Sequence, residues 1–370
     1  MVDALMADSA RSSSDSPQIS VLVPIFNVEK YLRQCLQSLV DQSYSDFEVI
    51  CINDGSTDGS RDIIEQFLSD PRFRVIDKPN SGYGASMNQG LDAALGRYVA
   101  ILESDDYLDP DGLAGLFELA ELNQVDVAKA NFYFYWSVPE DRNEVYEFVS
   151  PSMADRVLSP LDDLRIFYRK PSIWAALYRA DFLRENHIRF LETPGASYQD
   201  AGFSFKVWSC ARRVVLSRSA YLHYRQDNES SSVNSPGKVY CVCDEYAEMD
   251  RFLDSRPDLP VDLKGVLLRM KYDSYIWNYE RLQESLQVQF LQRMAEEFSR
   301  HIANHDPVFA HLESWKANDL RQIVKDPSAY HRSRSRFAKL GSLGKALHYL
   351  LSNGPAMMVR MAREKKLESL

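Results

Sequence analysis

At 370 residues, with 45% hydrophobic and 26% charged side chains, the chain has ordinary globular composition and room for one catalytic domain plus an appendage. Its net charge of -10 argues against a nucleic-acid partner, because neutralising phosphates takes a basic surface. That charge is uneven: Tyr330–Leu370 carries nine Lys/Arg against Glu364 and Glu368, a local +7, so the rest carries -17.

Residues 1–17 are rich in Ser and Asp, without a basic segment followed by an apolar stretch, and predict a disordered tail rather than a secretory signal. Order is expected from Ile19. The run Ile19–Pro24 is β-branched and apolar on both faces, as a central parallel strand would be. Leu32, Cys35, Leu36, Leu39 and Val40 then follow a helical period. A second strand, Glu48–Ile52, ends in the polar loop 53–59, which supplies an N-cap for a helix carrying Ile63, Ile64, Phe67 and Leu68. A third strand covers Phe73–Ile76, then a Gly-containing loop and a helix through Asn88 to Leu95. A fourth, Tyr98–Leu102, runs into Glu103-Ser104-Asp105-Asp106. Four strand–helix alternations predict an α/β fold with a mostly parallel, Rossmann-like sheet flanked by helices.

From Val127 to Tyr224 the pattern changes to mixed strands and short helices, with Trp136, Trp174 and Trp208 interspersed. Residues 18–238 read as one domain, with a first half over 18–126 and a second over 127–238. Residues 239–370 read as a helical C-terminal extension, with helices over Tyr240–Leu253, Leu263–Leu282 and Leu286–Ala303. The aromatic residues Tyr272, Tyr275, Trp277 and Tyr279 are an acceptor platform or, at helical spacing, ordinary core. The five cysteines are scattered, and Cys241-x-Cys243 has no second pair, so reduced thiols are expected, as in a cytoplasmic protein. No run of 18 apolar residues predicts a membrane span. In the basic tail, Lys345, Arg360, Arg363, Lys365 and Lys366 stand beside Leu347, Leu350, Leu351, Met357, Met358 and Met361. Two readings stay open: peripheral contact with the anionic inner face of the cell membrane, or a packed helix with a solvated basic face.

In open α/β sheets, ligands lie beyond the carboxyl ends of the strands. Three polar clusters occupy such positions: Pro24-Ile25-Phe26-Asn27, Asn53-Asp54-Gly55 and Glu103-Ser104-Asp105-Asp106. The last is the sharpest. Carboxylates at a buried strand end need a cation or hydrogen bonds, and oxygen-only ligands suit Mg²⁺ or Mn²⁺ completed by substrate phosphates. Otherwise the quartet is a solvated turn capping the next helix. Asp54 could read a nucleobase N–H, serve as turn chemistry, or both. The loop Asn80-Ser81-Gly82-Tyr83-Gly84 resembles a phosphate loop, though its GxGxxG is incomplete.

Together these pieces resemble the family 2 glycosyltransferases of the GT-A fold, in particular the bacterial members that form cell-surface polysaccharide. The resemblance rests on Val-Leu-Val-Pro-Ile-Phe-Asn-Val-Glu (21–29), Asn-Asp-Gly-Ser-Thr-Asp-Gly-Ser (53–60) and Asn80-x-Gly82 leading to Asn88-x-Gly90. Ala94-x-Gly96-x-Tyr98 leading to Glu-Ser-Asp-Asp (103–106) completes it, over roughly residues 19–130. It implies that Pro24, Phe26, Asn27 and Glu29 border a nucleotide and that Asp54 hydrogen-bonds the base, most often uracil. Glu103-x-Asp105 would stand as the DxD motif beside Ser104, with Asp105 the metal ligand for Mn²⁺ or Mg²⁺ and Asp106 lining the sugar pocket. The loop from Asn80 through Gly82 to Asn88 would approach the donor sugar and phosphates. Glu103 departs from the usual Asp, Met87 from an Arg and Phe26 from a Tyr.

On the acceptor side, Pro194–Phe203 matches the family's acidic segment, with Gln199 where Glu is usual. Asp200 would be the catalytic base that takes the acceptor hydroxyl's proton, unless it caps a helix starting near Gly202. His223-Tyr224-Arg225, the serines at 230–232 and Lys238 resemble a further segment. Arg225 or Lys238 could reach phosphate, and His223 could support the metal or diphosphate, or be a satisfied structural histidine. The resemblance implies an inverting, metal-dependent transfer from a UDP-sugar to a glycan or lipid-linked glycan acceptor. Two alternatives remain: a catalytically degenerate scaffold that binds a partner or glycan, and a nucleotidyltransferase. The latter wants a Gly-rich, basic loop after the first strand, where Pro24-Ile25-Phe26-Asn27 stands.

Overall fold

The structure, a computed structural model, describes residues 16–228, 239–303, 309, 311–338, 341, 347, 350 and 354–355. The tail expected over 1–17 lies outside these residues apart from its last two positions. The chain divides into two compact units. The first comprises residues up to Asp163 together with Arg169–Ser231; the second comprises Leu164–Tyr168 and the residues from Ser232 onward.

The first unit is built on one ten-stranded sheet. Its opening strands are β1 (Ile19–Ile25), β2 (Phe47–Asn53), β3 (Phe73–Asp77) and β4 (Tyr98–Ile101), separated by α1 (Glu29–Val40), α2 (Ser60–Phe67) and α3 (Tyr83–Ala93). These four strands pair in parallel in the order β3-β2-β1-β4. Every residue of β1 and β2 is buried, which is why both read as unbroken apolar runs rather than as alternation. α3 packs on β1 and β2. The chain runs outward from β1 to β3 and then returns to the other side of β1 as β4. That reversal opens a crevice at the carboxyl ends of β1 and β4.

The remaining strands make the sheet mixed. They are β5 (Tyr107–Leu108), β6 (Val127–Trp136), β7 (Arg142–Tyr146), β8 (Val157–Leu158), β9 (Ala176–Arg179) and β10 (Val214–Arg225). β9 runs antiparallel between β4 and β6, β10 lies parallel to β6, and β5 and β8 pair antiparallel with β10. β7, an antiparallel edge strand beside β6, is exposed along most of its length and carries Arg142 and Glu144, charges that discourage further pairing. α4 (Gly112–Asn123) packs on β6, β9 and β10, while α5 (Ala180–Glu185) and α6 (Gln199–Cys210) follow β9. The parallel half was expected. The antiparallel insertion was not, because such pairings join segments far apart in sequence.

The polar loop after β2 caps its helix in an unexpected way. Gly59 holds the cap position of α2, and Asp58 accepts from Ser60 N at 3.0 Å and from Glu29 N, at the start of α1, also at 3.0 Å. Glu29 in turn accepts from Gly59 N. Two helix starts thus share two carboxylates, a favourable place for negative charge.

In the second unit, α7 (Cys241–Asp254), α8 (Leu263–Arg281), α9 (Glu284–Ala303), α10 (Ser314–Lys325) and α11 (Pro327–Ala338) form a helical bundle. Tyr272, Tyr275 and Tyr279 of α8 are core residues, so the aromatic run is packing; Trp277 is the exposed member and lies against Arg281. Buried Asp319 accepts from the hydroxyls of Tyr272 and Tyr330 at 2.6 and 2.7 Å. All five cysteines are free thiols. No helix among the described residues is long and apolar enough to cross a membrane.

Candidate active site

The site grows out of the sheet's register. Ile25 pairs with Asn53, and Asn53 with Asp77, so β1, β2 and β3 end level and release their loops side by side. Phe26 stands at the end of β1 with half of its surface exposed, a flat apolar face at the crevice. Pro24 is buried within β1. Asn27 adopts a left-handed backbone (φ 50°) and its side-chain oxygen accepts from Thr57 N at 2.8 Å, which ties the β1 loop to the β2 loop. Glu29 is spent on the start of α2.

Asp54 is buried and anchors the loop that follows β3. Its carboxylate accepts from Ser81 N at 2.8 Å and Gly82 N at 3.0 Å, and it pairs with Lys78. Gly82 sits at φ +93°, and a Cβ there would come within 2.6 Å of the Thr193 carbonyl. That close approach joins the donor-side loop to the segment leading into α6, and Tyr83 N donates to the Gly195 carbonyl at 3.0 Å. Asn80 is exposed at the loop's tip. Asn88 is not at the loop surface: it is buried, donating to the Phe190 carbonyl and accepting from Phe190 N at 2.9 Å. Here the expected approach to the donor gives way to a clamp on the backbone of the opposite segment. Met87 is wholly buried.

The acidic quartet follows β4 directly. Glu103 accepts from the Tyr83 hydroxyl at 2.6 Å, and Asp105 accepts from Asn228 Nδ2 at 2.7 Å. Ser104 is buried. Asp106 is buried, accepts from Arg225 N at 2.8 Å, and keeps Oδ2 without a partner among the described residues. Burial, the Asp105 charge and the Asp200 charge push Glu103 up to about 8 against the pull of the Tyr83 hydrogen bond. Burial first, then Asp105, holds Asp106 well above the ordinary carboxylate range.

α6 starts at Gln199, three residues before the expected Gly202, so Asp200 lies inside its first turn rather than at the cap, and its Oδ1 accepts from Ala201 N at 2.9 Å. Burial raises it to about 6, opposed by Lys170. Gln199 is buried and braces the preceding loop, donating to Thr193 Oγ1 at 3.0 Å. The Asp200 charge reaches Glu103, and Tyr83, whose hydroxyl donates to Glu103, donates its N–H to the Gly195 carbonyl, so the two motifs, nearly a hundred residues apart, lie near one another.

The two further basic candidates in the described residues are turned inward. His223 is stacked between Tyr107 and Tyr133, with its ring nitrogens 2.7 Å from Asn143 Oδ1 and 3.0 Å from Asp109 Oδ1. It is a satisfied structural histidine rather than support for a metal or diphosphate. The Arg225 side chain is 2% exposed and donates to the Asp105 carbonyl at 2.9 Å, Gln34 at 2.6 Å and Ser137 at 3.0 Å, between the rings of Tyr31 and Tyr135. Buried among these partners, its side chain braces the acidic turn. Lys238 lies outside the described residues.

The acidic turn offers oxygen donors alone, and its buried carboxylates and the Asp106 Oδ2 that lacks a partner among the described residues are compatible with a hard divalent cation. No three His, Cys, Asp or Glu side chains among the described residues converge to hold an ion by themselves, so phosphate oxygens would have to complete its shell.

Residues 20–208, just over half of the chain, match glycosyl transferase family 2. The chain belongs to that family. EpsJ of Bacillus subtilis strain 168, described as an uncharacterized glycosyltransferase, is 32% identical over 226 residues, which is 58% of this chain and 62% of EpsJ. The poly(ribitol-phosphate) β-glucosyltransferase of Bacillus spizizenii is 27% identical over 267 residues, 69% of this chain and 40% of that protein. The chain thus spans less than two thirds of the length of either relative. TarS of S. aureus, residues 1–349, solved with UDP-GlcNAc, superposes with a TM-score of 0.66 at 22% identity, covering 88% of this chain and 92% of that one. That likeness supports the fold, an α/β sheet flanked by helices with further helices toward the C-terminus.

Sequence reasoning missed Lys78, Asn228 and Lys170, and gave Tyr83 no role of its own. Tyr83 and Lys78 flank a recognised loop but carry no motif signal of their own. Asn228 and Lys170 meet Asp105 and Asp200 only through the fold.

Proposed function

We propose that this chain is an inverting, metal-dependent glycosyltransferase that moves a sugar from a UDP-sugar to a glycan or lipid-linked glycan acceptor in cell-surface polysaccharide synthesis. The observation that carries the proposal is the placing of Glu103, Asp105 and Asp106 at the sheet's switch point, with Tyr83 bridging from Glu103 to the Gly195 carbonyl in the segment that leads to Asp200, whose charge reaches Glu103. The names of the relatives support the substrate class: TarS was solved with UDP-GlcNAc, and one relative glucosylates poly(ribitol phosphate).

In this reading Phe26 and Asp54 receive the nucleobase, and Asp105, assisted by Glu103, would hold Mg²⁺ or Mn²⁺. When bound, such an ion neutralises the charge that builds on the departing UDP. Asp106 borders the sugar. Asp200 accepts the proton of the acceptor hydroxyl as its oxygen attacks C1 from the face opposite the leaving group, and the anomeric configuration inverts. The basic tail would keep the enzyme at an anionic membrane on the cytoplasmic side, where a lipid-linked acceptor is found.

The test is a donor panel. Nucleotide release from UDP-, GDP-, CDP- and dTDP-sugars is measured with Mn²⁺ or Mg²⁺ and again with EDTA, for the wild type and Asp105→Ala. Release from a UDP-sugar that EDTA and Asp105→Ala both abolish, in a variant that still melts cooperatively, is the expected result. Turnover that ignores both EDTA and the substitution would sink the metal assignment, and preference for another nucleotide would sink the donor.

A further inference from the structure

Lys78 is a nearly buried cation outside every motif that suggested the site, and the register of the sheet places it deliberately. Asn53 at the end of β2 pairs with Asp77 at the end of β3, so the next residue on each strand, Asp54 and Lys78, emerge as neighbours; Lys78 N donates to the Asn53 carbonyl at 3.1 Å. The floor beneath them is fixed, because Asn53 Nδ2 donates to Asp77 Oδ1 at 2.7 Å and Arg61 Nε to Asp77 Oδ2 at 2.9 Å. Lys78 Nζ pairs with Asp54 Oδ1 and donates to Ser81 Oγ at 2.6 Å. The side chains of Lys78 and Asp54 are 10% and 6% exposed.

An ammonium has three N–H donors, and among the described residues two of these are engaged. The Asp54 carboxylate uses Oδ1 for Lys78 and Ser81 N, and Oδ2 for Gly82 N alone. One donor on Lys78 and one acceptor site on Asp54 therefore remain side by side. They stand at the level of the exposed Phe26 face, since Asp54 N donates to the Ile25 carbonyl at 2.9 Å.

We propose that Lys78 is a specificity-determining residue which, with Asp54, forms the edge that reads the donor's nucleobase. Asp54 accepts from the imide N3–H of uracil, and Lys78 donates to O4, where cytosine carries an amino group instead of a carbonyl. In cytosine that ring nitrogen carries a lone pair, which would meet the carboxylate acceptor to acceptor. A site built around buried polar groups rejects the analogue that leaves them unmatched. The inference rests on the UDP-sugar reading above.

Titration calorimetry with UDP and with CDP, in buffer containing Mn²⁺, tests it on the full chain as wild type, Lys78→Met and Lys78→Arg, with a melting curve for each. The expected result is a wild-type preference for UDP. Lys78→Met should weaken UDP at least tenfold while barely changing CDP, so that the preference shrinks, and Lys78→Arg should restore most of it. A folded Lys78→Met that keeps the UDP-to-CDP ratio, or that loses both nucleotides equally, would overturn the role of Lys78, the second outcome marking it as a mere brace for the loop. If Lys78→Met does not fold, Lys78→Gln takes its place: it is shorter and neutral, so UDP should still weaken more than CDP, by less than in Lys78→Met, and an unchanged UDP-to-CDP ratio overturns the role of Lys78. A wild type without preference for UDP overturns the donor assignment itself, which separates the two failures.

Discussion

Asp200 has to be ionised to act as a base, yet its surroundings resist the charge. Its folded-state value is raised to about 6, whereas an unfolded Asp titrates near ~3.9. The charged form is therefore disfavoured by folding: the cost is absent below about pH 4, grows between about 4 and 6, and is full above about 6. Asp200→Asn should melt higher than the wild type at pH 7.5, by roughly 1–2 kcal/mol after allowance for solvent, and alike near pH 4. Its transfer rate should fall by about 10²–10⁴-fold with UDP affinity within about twofold. The wild-type rate should drop as pH falls through about 6, when Asp200 takes up its proton. A folded variant with undiminished transfer removes Asp200 from the mechanism. Local text was enough to pick Asp200 and Asp105 as candidates, because carboxylates after a strand or before a helix are visible in sequence. The same text left the roles of His223 and Arg225 open, because whether a polar side chain faces a ligand or its own neighbours depends on which strands pair around it.

The loop into α3 and the segment into α6 act as one element. Gly82 at φ +93° permits a backbone approach that brings the donor loop against residues 193–195, and Asn88 clamps Phe190 on the same line. A methyl group at position 82 would strain the backbone and collide with the Thr193 carbonyl. Gly82→Ala is expected to cost about 1–3 kcal/mol of stability and to lower transfer more than it lowers UDP binding, since Asp200 rides on the displaced segment. Thermal melting and calorimetry read both; unchanged melting would mean that residues 193–195 move aside freely. Glycine in this loop was conspicuous in the sequence as phosphate-loop chemistry, whereas its partner, a carbonyl more than a hundred residues away, was not. The parallel strands were legible for the opposite reason. Strands buried on both faces and separated by helices leave a local pattern of apolar runs and turns.

At the level of the whole chain, the charge asymmetry raises the question of where the basic tail begins. Tyr330 is buried and donates to Asp319, and Arg334 donates to the Tyr330 hydroxyl and pairs with Glu280. The first part of the basic run is therefore α11, a packed member of the helical unit, and a truncation at Tyr330 would unfold what it means to probe. Leu347 and Leu350 are exposed, while the tail's other apolar and basic candidates named above, from Lys345 to Lys366, lie outside the described residues. If the tail holds the enzyme at a bilayer, removing residues 339–370 should abolish sedimentation with anionic vesicles, leave neutral vesicles unaffected, and keep UDP affinity and melting close to those of the full chain. Equal sedimentation of the two proteins would dispose of membrane attachment through the tail.

The sequence by itself determined the α/β class, the order of the first four strands and their helices, and the acidic and glycine-rich loops at strand ends. Burial, turn geometry and helix period act over a few residues and leave local signatures. Only the tertiary structure decided the antiparallel course of β9, the joining of Asp200 to Glu103, the inward turn of His223, Arg225 and Asn88, and the placing of Lys78 against Asp54. Each of these depends on which distant backbone pairs with which, and a hydrogen bond across a sheet carries no mark in the residues between its ends.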